Sequence, residues 1–358
     1  MGKIIENIKN KNINKFIFDS NILMEKYLRV KDLPEDWEDN LGDNLYLKKN
    51  FLSLIEKTDN SEKSYYVFRN INGKIDTQFI ISITADNDIA MFTPFKLPVV
   101  MHSVYFPFTL SKPGGVFGDE AKQEVASFLK SLKGYKMILN VDKSCKFDGF
   151  ACGLICPRCV LKIKWNSFDE YMASLRTGYR RRYNIALDKS KNLKFRILKD
   201  NKLEFTDDMY NLYLNVYNNA SYKLGKVSID FFRQDFFVIL ALDDEEGTQG
   251  FAHLHENDEE LIFEFVGFNR KNILKYDTYI RLLVEIVRYG IRKGFKSIDF
   301  GQTADDAKLK LGCKYENLYA LINHSNPIIN FLCKKLVPHI QYKSLEESKF
   351  HVFKESKN

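Results

Sequence analysis

From Glu260 to Gly312 the chain reads ELIFEFVGFNRKNILKYDTYIRLLVEIVRYGIRKGFKSIDFGQTADDAKLKLG. This predicts strand, loop, long helix, strand and short helix, a β-α-β crossover that leaves little choice but a parallel strand pair. Leu261 to Phe268 is a β-rich apolar run. Strict alternation puts Glu260, Ile262, Glu264 and Val266 on one face and Leu261, Phe263 and Phe265 on the other. The mid-strand carboxylate of Glu264 is the odd residue. From Tyr279 the apolar positions Ile280, Leu283, Val284, Val287 and Ile291 recur at helical spacing, and Gly294 is placed to end the helix. Ser297 to Phe300 then makes a short strand ending at Gly301. A phosphate-bearing ligand is expected near Tyr276, where the helix begins, because free N–H groups and the positive dipole end meet there.

A chain of 358 residues is long enough for two domains, and 45% hydrophobic with 28% charged residues is the composition of a globular protein. A formal charge of +7 is modest for that size, which argues against a dedicated nucleic-acid binder while permitting a polyanionic partner. The first twenty residues contain no apolar run of signal or membrane length, so no membrane insertion is expected and reduced thiols in a cytoplasm are the default. Glu6 stands where a myristoylation signal wants Ser or Thr.

The first sixty residues read as helical and polar. Ser64 to Ile83 reads as a hairpin about Asn72-Gly73. The stretch FTPFKLPVVMHSVYFPF, broken by Pro94, Pro98 and Pro107, reads as cleft wall or connecting loops. Glu120 to Leu132 has helical spacing and Lys136 to Val141 reads as a buried strand. A second hairpin, Phe236 to Leu242 and Phe251 to His255, leads into the β-α-β unit. Both halves thus share one order, and two copies of one α/β domain is the economical reading. Between them Asn166 or Ser167 can cap a helix, and Arg176, Arg180, Arg181 and Arg182 form the densest positive cluster. The tail reads as a polar appendage.

The segment ending KGFKSIDFGQTADDAKLKLG, the phrase FDEYMASLRTGYRRRYNIAL and the order hairpin, strand, helix, strand, short helix, strand together resemble the GNAT acyltransferase superfamily, in its two-domain FemAB-like form. The resemblance runs from about Trp165 to Pro338. It implies an α/β (α+β) fold of tandem GNAT-like domains, each a mixed central sheet flanked by helices. Expected boundaries are 1–162 for a degenerate first domain, 163–340 for the acyltransferase domain and 341–358 for the tail. It further implies an acyl donor held where the sheet splays, a backbone N–H there polarising the reacting carbonyl, and a tyrosine protonating the leaving group. In the family a glycine-rich loop takes the donor pyrophosphate; here the loop is NRKNILKYD, without glycine, and Arg270, Lys271 and Lys275 supply charge instead.

On this reading Phe265, Val266 and Gly267 carry the polarising strand, and Arg270, Lys271, Lys275 and Tyr276 the donor site. Glu264 is the general-base candidate, or else a paired structural carboxylate. Lys308, at the lysine-before-glycine position, is expected to neutralise developing negative charge, or else to be a solvated helix lysine. Asp299 ends the parallel strand where ligands bind in open α/β sheets, or it caps the turn. Tyr319, with Tyr315, is the candidate acid. Arg180, Arg182, Tyr183 and His253 are candidate substrate contacts, against a solvated charge run and a core histidine. Cys152, Cys156 and Cys159 have the spacing of an iron–sulfur loop, but no barrel pattern surrounds them, and neither metal nor cluster is expected. The expected reaction is acyl transfer from an acyl-CoA-type donor to a small-molecule or peptide amine. The alternatives are Fem-type aminoacyl transfer from tRNA to a peptide or cell-wall precursor, and a non-catalytic binding protein on the same fold.

Overall fold

Runs of β-branched and aromatic residues alternating with amphipathic helices assemble into two mixed sheets with helices on their faces. The structure is a computed structural model and describes residues 4–9, 13–18, 23–42, 44–58, 61–88, 98–105, 115–118, 122–220, 226–340 and 342–354. The chain divides into two compact units, Met1–Pro157 with Asn317–Lys343, and Arg158–Glu316 with Ser344–Asn358. A single boundary at 162/163 is expected from the sequence; the observed division falls at Pro157 and returns 317–343 to the first unit.

The first unit begins with strands, not the helices expected from its polar composition: β1 (Ile4–Lys9), β2 (Ile13–Phe18) and β3 (Leu23–Tyr27) form a meander. After three short helical turns comes α1 (Lys49–Thr58), which buries Phe51, Leu52, Leu54 and Ile55. The expected hairpin is β4 (Glu62–Arg69) and β5 (Ile75–Asp88). The Pro-rich stretch holds β6 (Pro98–Val104), a strand interior to the sheet, which begins at Pro98 where the missing N–H is tolerated; Pro94 and Pro107 lie outside the described residues. Then come β7 (Val116–Phe117), α2 (Lys122–Ser131), β8 (Tyr135–Val141) and β9 (Ala151–Leu154). Glu120, the expected start of α2, is also outside the described residues.

The second unit comprises β10 (Arg158–Lys162), α3 (Phe168–Ser174), α4 (Thr177–Lys189), β11 (Lys194–Ile197), α5 (Asn201–Glu204), α6 (Asp207–Asn218) and α7 (Ile229–Phe232). Ser167 caps α3, its hydroxyl accepting from the Glu170 N–H at 3.1 Å. The central run follows as β12 (Val238–Asp244), β13 (Gly247–Asn257), β14 (Glu260–Phe268), α8 (Ile273–Tyr276), α9 (Thr278–Lys293), β15 (Ser297–Asp299), α10 (Asp305–Leu309) and β16 (Lys314–Glu316). Gly294 ends α9 in the left-handed region at φ 80°, as its position predicts. The chain then enters β17 (Tyr319–His324) and α11 (Pro327–Leu336), both in the first unit.

Among the described residues the first sheet has the order β1-β2-β3-β4-β5-β6-β8-β17-β9, with β7 beside β5, and the second β11-β12-β13-β14-β15-β10-β16. Each contains one parallel neighbour pair, β6 with β8 and β14 with β15, joined through α2 and α9. The strand beside each crossover comes from the other half of the sequence: β17 lies against β8, and β10 against β15. The repeat read from the sequence is therefore real in strand order, but its copies exchange strands.

Packing in the second unit follows from the period of α9. Leu282, Leu283, Ile286 and Val287 meet Leu240, Leu254, Leu261 and Phe263 in one core; truncating any one to Ala is expected to cost about 2–5 kcal/mol. Gly250 lets α9 approach closely, since a Cβ there would lie 2.6 Å from Thr278 Cγ2. The expected polar tail is part of this unit: Val352 is buried, Phe353 stacks near Trp165, and Val352 accepts the Arg176 N–H at 2.9 Å.

Candidate functional site

The parallel pair is short. β14 and β15 pair only at Glu260, Ile262 and the residue between them, opposite Ser297 to Asp299, while β14 continues to Phe268 against β13 alone. Among the described residues, no strand pairs with the β15 side of β14 beyond Ile262. A β-bulge lies at the same level. His253 pairs with Phe265 and Leu254 with Phe263, so Glu264 is the extra residue.

The bulge corrects the simple alternation. Phe263 and Val266 pack with the α9 core, while Phe265 turns to Tyr213, Phe231 and Phe232 of α6 and α7. Glu264 is buried with its carboxylate 3.5 Å from His253 Nδ1 and 3.7 Å from His255 Nδ1. Phe231, Phe232 and Phe237 ring His253 at centroid distances of 5.5, 5.1 and 4.2 Å. Burial, and secondarily His255, hold the His253 imidazole well below the ordinary histidine range, so it is neutral near pH 7. Gly267 is required here, because a Cβ would lie 2.3 Å from Phe251 Cε1 and 2.7 Å from the Tyr213 nitrogen.

At the end of β15 the chain takes an unusual path. Gly301, Thr303 and Ala304 all have positive φ, of 72°, 63° and 52°. A β-branched residue in that region is a strain the surroundings must hold. Lys308, on α10, supplies one restraint: its ammonium donates to the Gln302 carbonyl at 2.8 Å from a position only 3% exposed. It is therefore no solvated helix lysine. Burial lowers its pKa, with Cys159 and Asp299 opposing that shift. Tyr315 donates to Asp305 at 2.8 Å, and burial together with that carboxylate raises its pKa.

Asp299 ends the strand and caps the turn, accepting from the Gly301 N–H at 2.8 Å. Its other oxygen takes Arg158 Nη1 at 3.0 Å. Arg158 also reaches Glu260 at 3.3 Å and bonds Glu316, and Ser297 donates to Glu260 at 3.0 Å. This buried hub fixes β10, β14, β15 and β16 together. Arg158 was hidden in the sequence between two cysteines; its signal was a charge opening the apolar strand RCVLK.

The loop after β14 is closed by side-chain amides, two of its asparagines bonding to Gln249 of β13. Gln249 Oε1 accepts from Asn269 at 3.1 Å and Asn272 at 3.0 Å, and Asn269 Oδ1 accepts from the Lys271 N–H at 3.1 Å. Arg270, Lys271 and Lys275 are exposed, and Tyr276 is buried with its hydroxyl on Asp244 at 3.0 Å. α9 begins after Asp277, which is left-handed at φ 49° and paired with Lys189 at 3.0 Å. A groove of about 350 Å³ lies beside it, lined by Arg181 and Arg182 of α4 and by Asp277 and Ile280. Arg180 instead lines a second groove on α4, with Arg181, Asn184 and Asp188.

Thus the structure brings Glu264, Phe265, Val266, Gly267 and His253 together, with Asp299 and Lys308 at the other strand of the opening. Tyr183, an expected substrate contact, and Tyr319, a candidate acid, both lie on packed elements. Tyr183 is 1% exposed within the α9 core, burial raising its pKa. Tyr319 is in β17 of the first sheet, packed against that unit's core. The cysteines are divided too: Cys152 packs in the first core and Cys159 in the second.

No protein-family model matches the sequence, and no curated protein matches it. Solved structures do align with it. The C-terminal domain of a putative lysylphosphatidylglycerol synthetase from Agrobacterium fabrum is 13% identical, over 75% of this chain and 86% of that one, with a TM-score of 0.46. FemX is 10% identical, over 76% and 90%, with a TM-score of 0.47. A tandem GNAT protein from the clavulanic acid biosynthesis pathway is 9% identical, over 85% and 99%, with a TM-score of 0.41.

Proposed function

We propose that the second unit is an N-acyltransferase centre, in which an acyl donor enters the opening between β14 and β15 and an amine attacks it directly. The observation that carries this reading is the coincidence of three features at one level of the sheet: the end of parallel pairing, the bulge, and the buried Glu264 carboxylate. In this scheme a strand N–H near Phe265 or Val266 binds the carbonyl oxygen as it gains charge. The amine nitrogen forms a bond to the carbonyl carbon, the bond to the leaving thiolate breaks, and the amine proton passes to Glu264 directly or through water. Lys308 holds the strained loop against the developing charge, and Tyr315 protonates the thiolate. Arg182 and the start of α9 are the donor-phosphate contacts, with Arg270, Lys271 and Lys275 at its rim.

Thermal melting with acetyl-CoA, a longer acyl-CoA and free CoA tests the donor. A ligand at ~100 times its dissociation constant stabilises the fold by about 2.7 kcal/mol. A shift with CoA compounds that Arg182→Ala reduces supports the proposal; no shift with any of them sinks the CoA donor.

A second reading, aminoacyl transfer from a charged tRNA, draws on the amide-closed loop and the arginines of α4. It predicts a shift with charged tRNA alone that vanishes as salt rises. Absence of both shifts favours a binding protein built on this fold.

A further inference from the structure

Helix α11 carries a broad apolar face on its outward side. An ordinary surface helix turns its apolar stripe to the core, as α1 does in the same unit. α11 buries no residue, and Ile328, Phe331, Leu332 and Leu336 are 72%, 58%, 49% and 52% exposed. Their spacing puts all four on one outward face. Inward lie Ile329 and Cys333, half-buried, together with Asn330, which is held by hydrogen bonds. Asn330 accepts from the His324 N–H and from Asn323 Nδ2, each at 3.1 Å, and donates to the Gly149 carbonyl at 3.1 Å. Asn326 caps the helix through the Ile328 and Ile329 N–H groups. The apolar face is thus fixed outward by an amide network on the other side.

Charge selects the occupant. From Asn317 to Lys343 the sequence contains no Asp or Glu, and it contains Lys334, Lys335 and Lys343. Lys334 and Lys335 are exposed in the last turn of α11, and the Lys335 ammonium lies over the Phe331 ring, 5.7 Å from its centroid. No helix among the described residues is long and apolar enough to cross a membrane.

We infer that α11 is an interfacial docking helix that lays Ile328, Phe331, Leu332 and Leu336 into an anionic phospholipid surface, with Lys334 and Lys335 on the headgroups. Insertion of the apolar face and attraction of the lysines then act together, as such helices require.

Cosedimentation of the full chain with phosphatidylcholine vesicles, with and without phosphatidylserine, tests this at low and moderate salt. Binding is expected to the anionic vesicles and to weaken with salt. Phe331→Ser with Leu336→Ser, and separately Lys334→Glu with Lys335→Glu, should each reduce it by about tenfold or more while melting stays unchanged. Absence of wild-type binding at low salt, or binding indifferent to both pairs of substitutions, overturns the inference. So does a wild-type dimer in sedimentation velocity that Phe331→Ser dissociates, since the face would then belong to a second copy of the chain.

Discussion

The two sheets are built to one plan and differ in what they bury at its centre. In the first, β6 and β8 pair in parallel from Met101 to Val104, and the adjoining core is Val104, Ile138, Phe79 and Phe128. The buried cation of β8, Lys136, serves the backbone: it donates to the Leu132 and Gly134 carbonyls at 3.0 Å each, closing the turn after α2. In the second, parallel pairing stops at Ile262, and the residues around the opening are Glu264, His253, Asp299 and Lys308. A common strand order therefore says little about where chemistry resides. Both sheets carry register shifts, the first between Thr84 and Asn87 of β5, so it is the bulge's place at Glu264, on the strand of the crossover, and the ionisable residues around the opening that distinguish the two.

The largest expected effect is on the hub that holds the second opening in place. Arg158→Leu removes one guanidinium from contact with Glu260, Asp299 and Glu316. Stranding buried carboxylates costs about 3–5 kcal/mol, so chemical denaturation should show the loss directly. A change below about 1 kcal/mol would mean that solvent reaches the hub and that the strands do not depend on it.

Next come the residues assigned to chemistry. Lys308→Ala and Glu264→Gln should each lower kcat/KM by about a hundredfold or more once a substrate pair is known. Lys136→Met, its counterpart in the first sheet, should leave activity unchanged and lower stability by about 1 kcal/mol, the worth of a hydrogen-bonded lysine cap. Equal losses of activity from Lys136 and Lys308 would erase the distinction between the sheets.

Gly267→Ala probes the bulge with a smaller change. The new methyl must displace the Phe251 ring or the Tyr213 backbone, an overpacking worth about 1–3 kcal/mol. A melting temperature equal to that of the unsubstituted protein would show that the strand can move there.

How much of this was legible follows from the range of the interactions. The β14-α9-β15 run was plain because helical and strand periods are local, and so were the cap at Ser167 and the stop at Gly294. The face of Val266 was misassigned because a bulge is a pairing event between β13 and β14 and leaves no mark in either strand alone. Tyr319 was grouped with Glu264 because it follows the short helix closely in sequence, whereas the chain changes sheets between β16 and β17. The opening strands were missed because polar side chains masked the β meander, and the tail because its packed residues Phe350, Val352 and Phe353 sit among charges.

The smallest expected effect is also the most specific. His253 is fully buried among aromatic rings and neutral, with a pKa well below the ordinary 6.5. In the unfolded chain the same imidazole protonates as pH falls through 6.5, so the unfolded state binds the extra proton. The stability contributed by a neutral His253 is therefore present above that pH and lost below it, by under about 1 kcal/mol at pH 6 and more as the pH falls. His253→Phe, which the surrounding Phe231, Phe232, Phe237 and Phe265 rings suit, should flatten the fall in melting temperature between pH 7 and pH 5. If the slope is the same in both proteins, His253 takes up its proton in the folded state, and the site beside Glu264 admits water freely. That outcome would make the second opening a solvated cleft and remove the dry environment on which a buried carboxylate base depends.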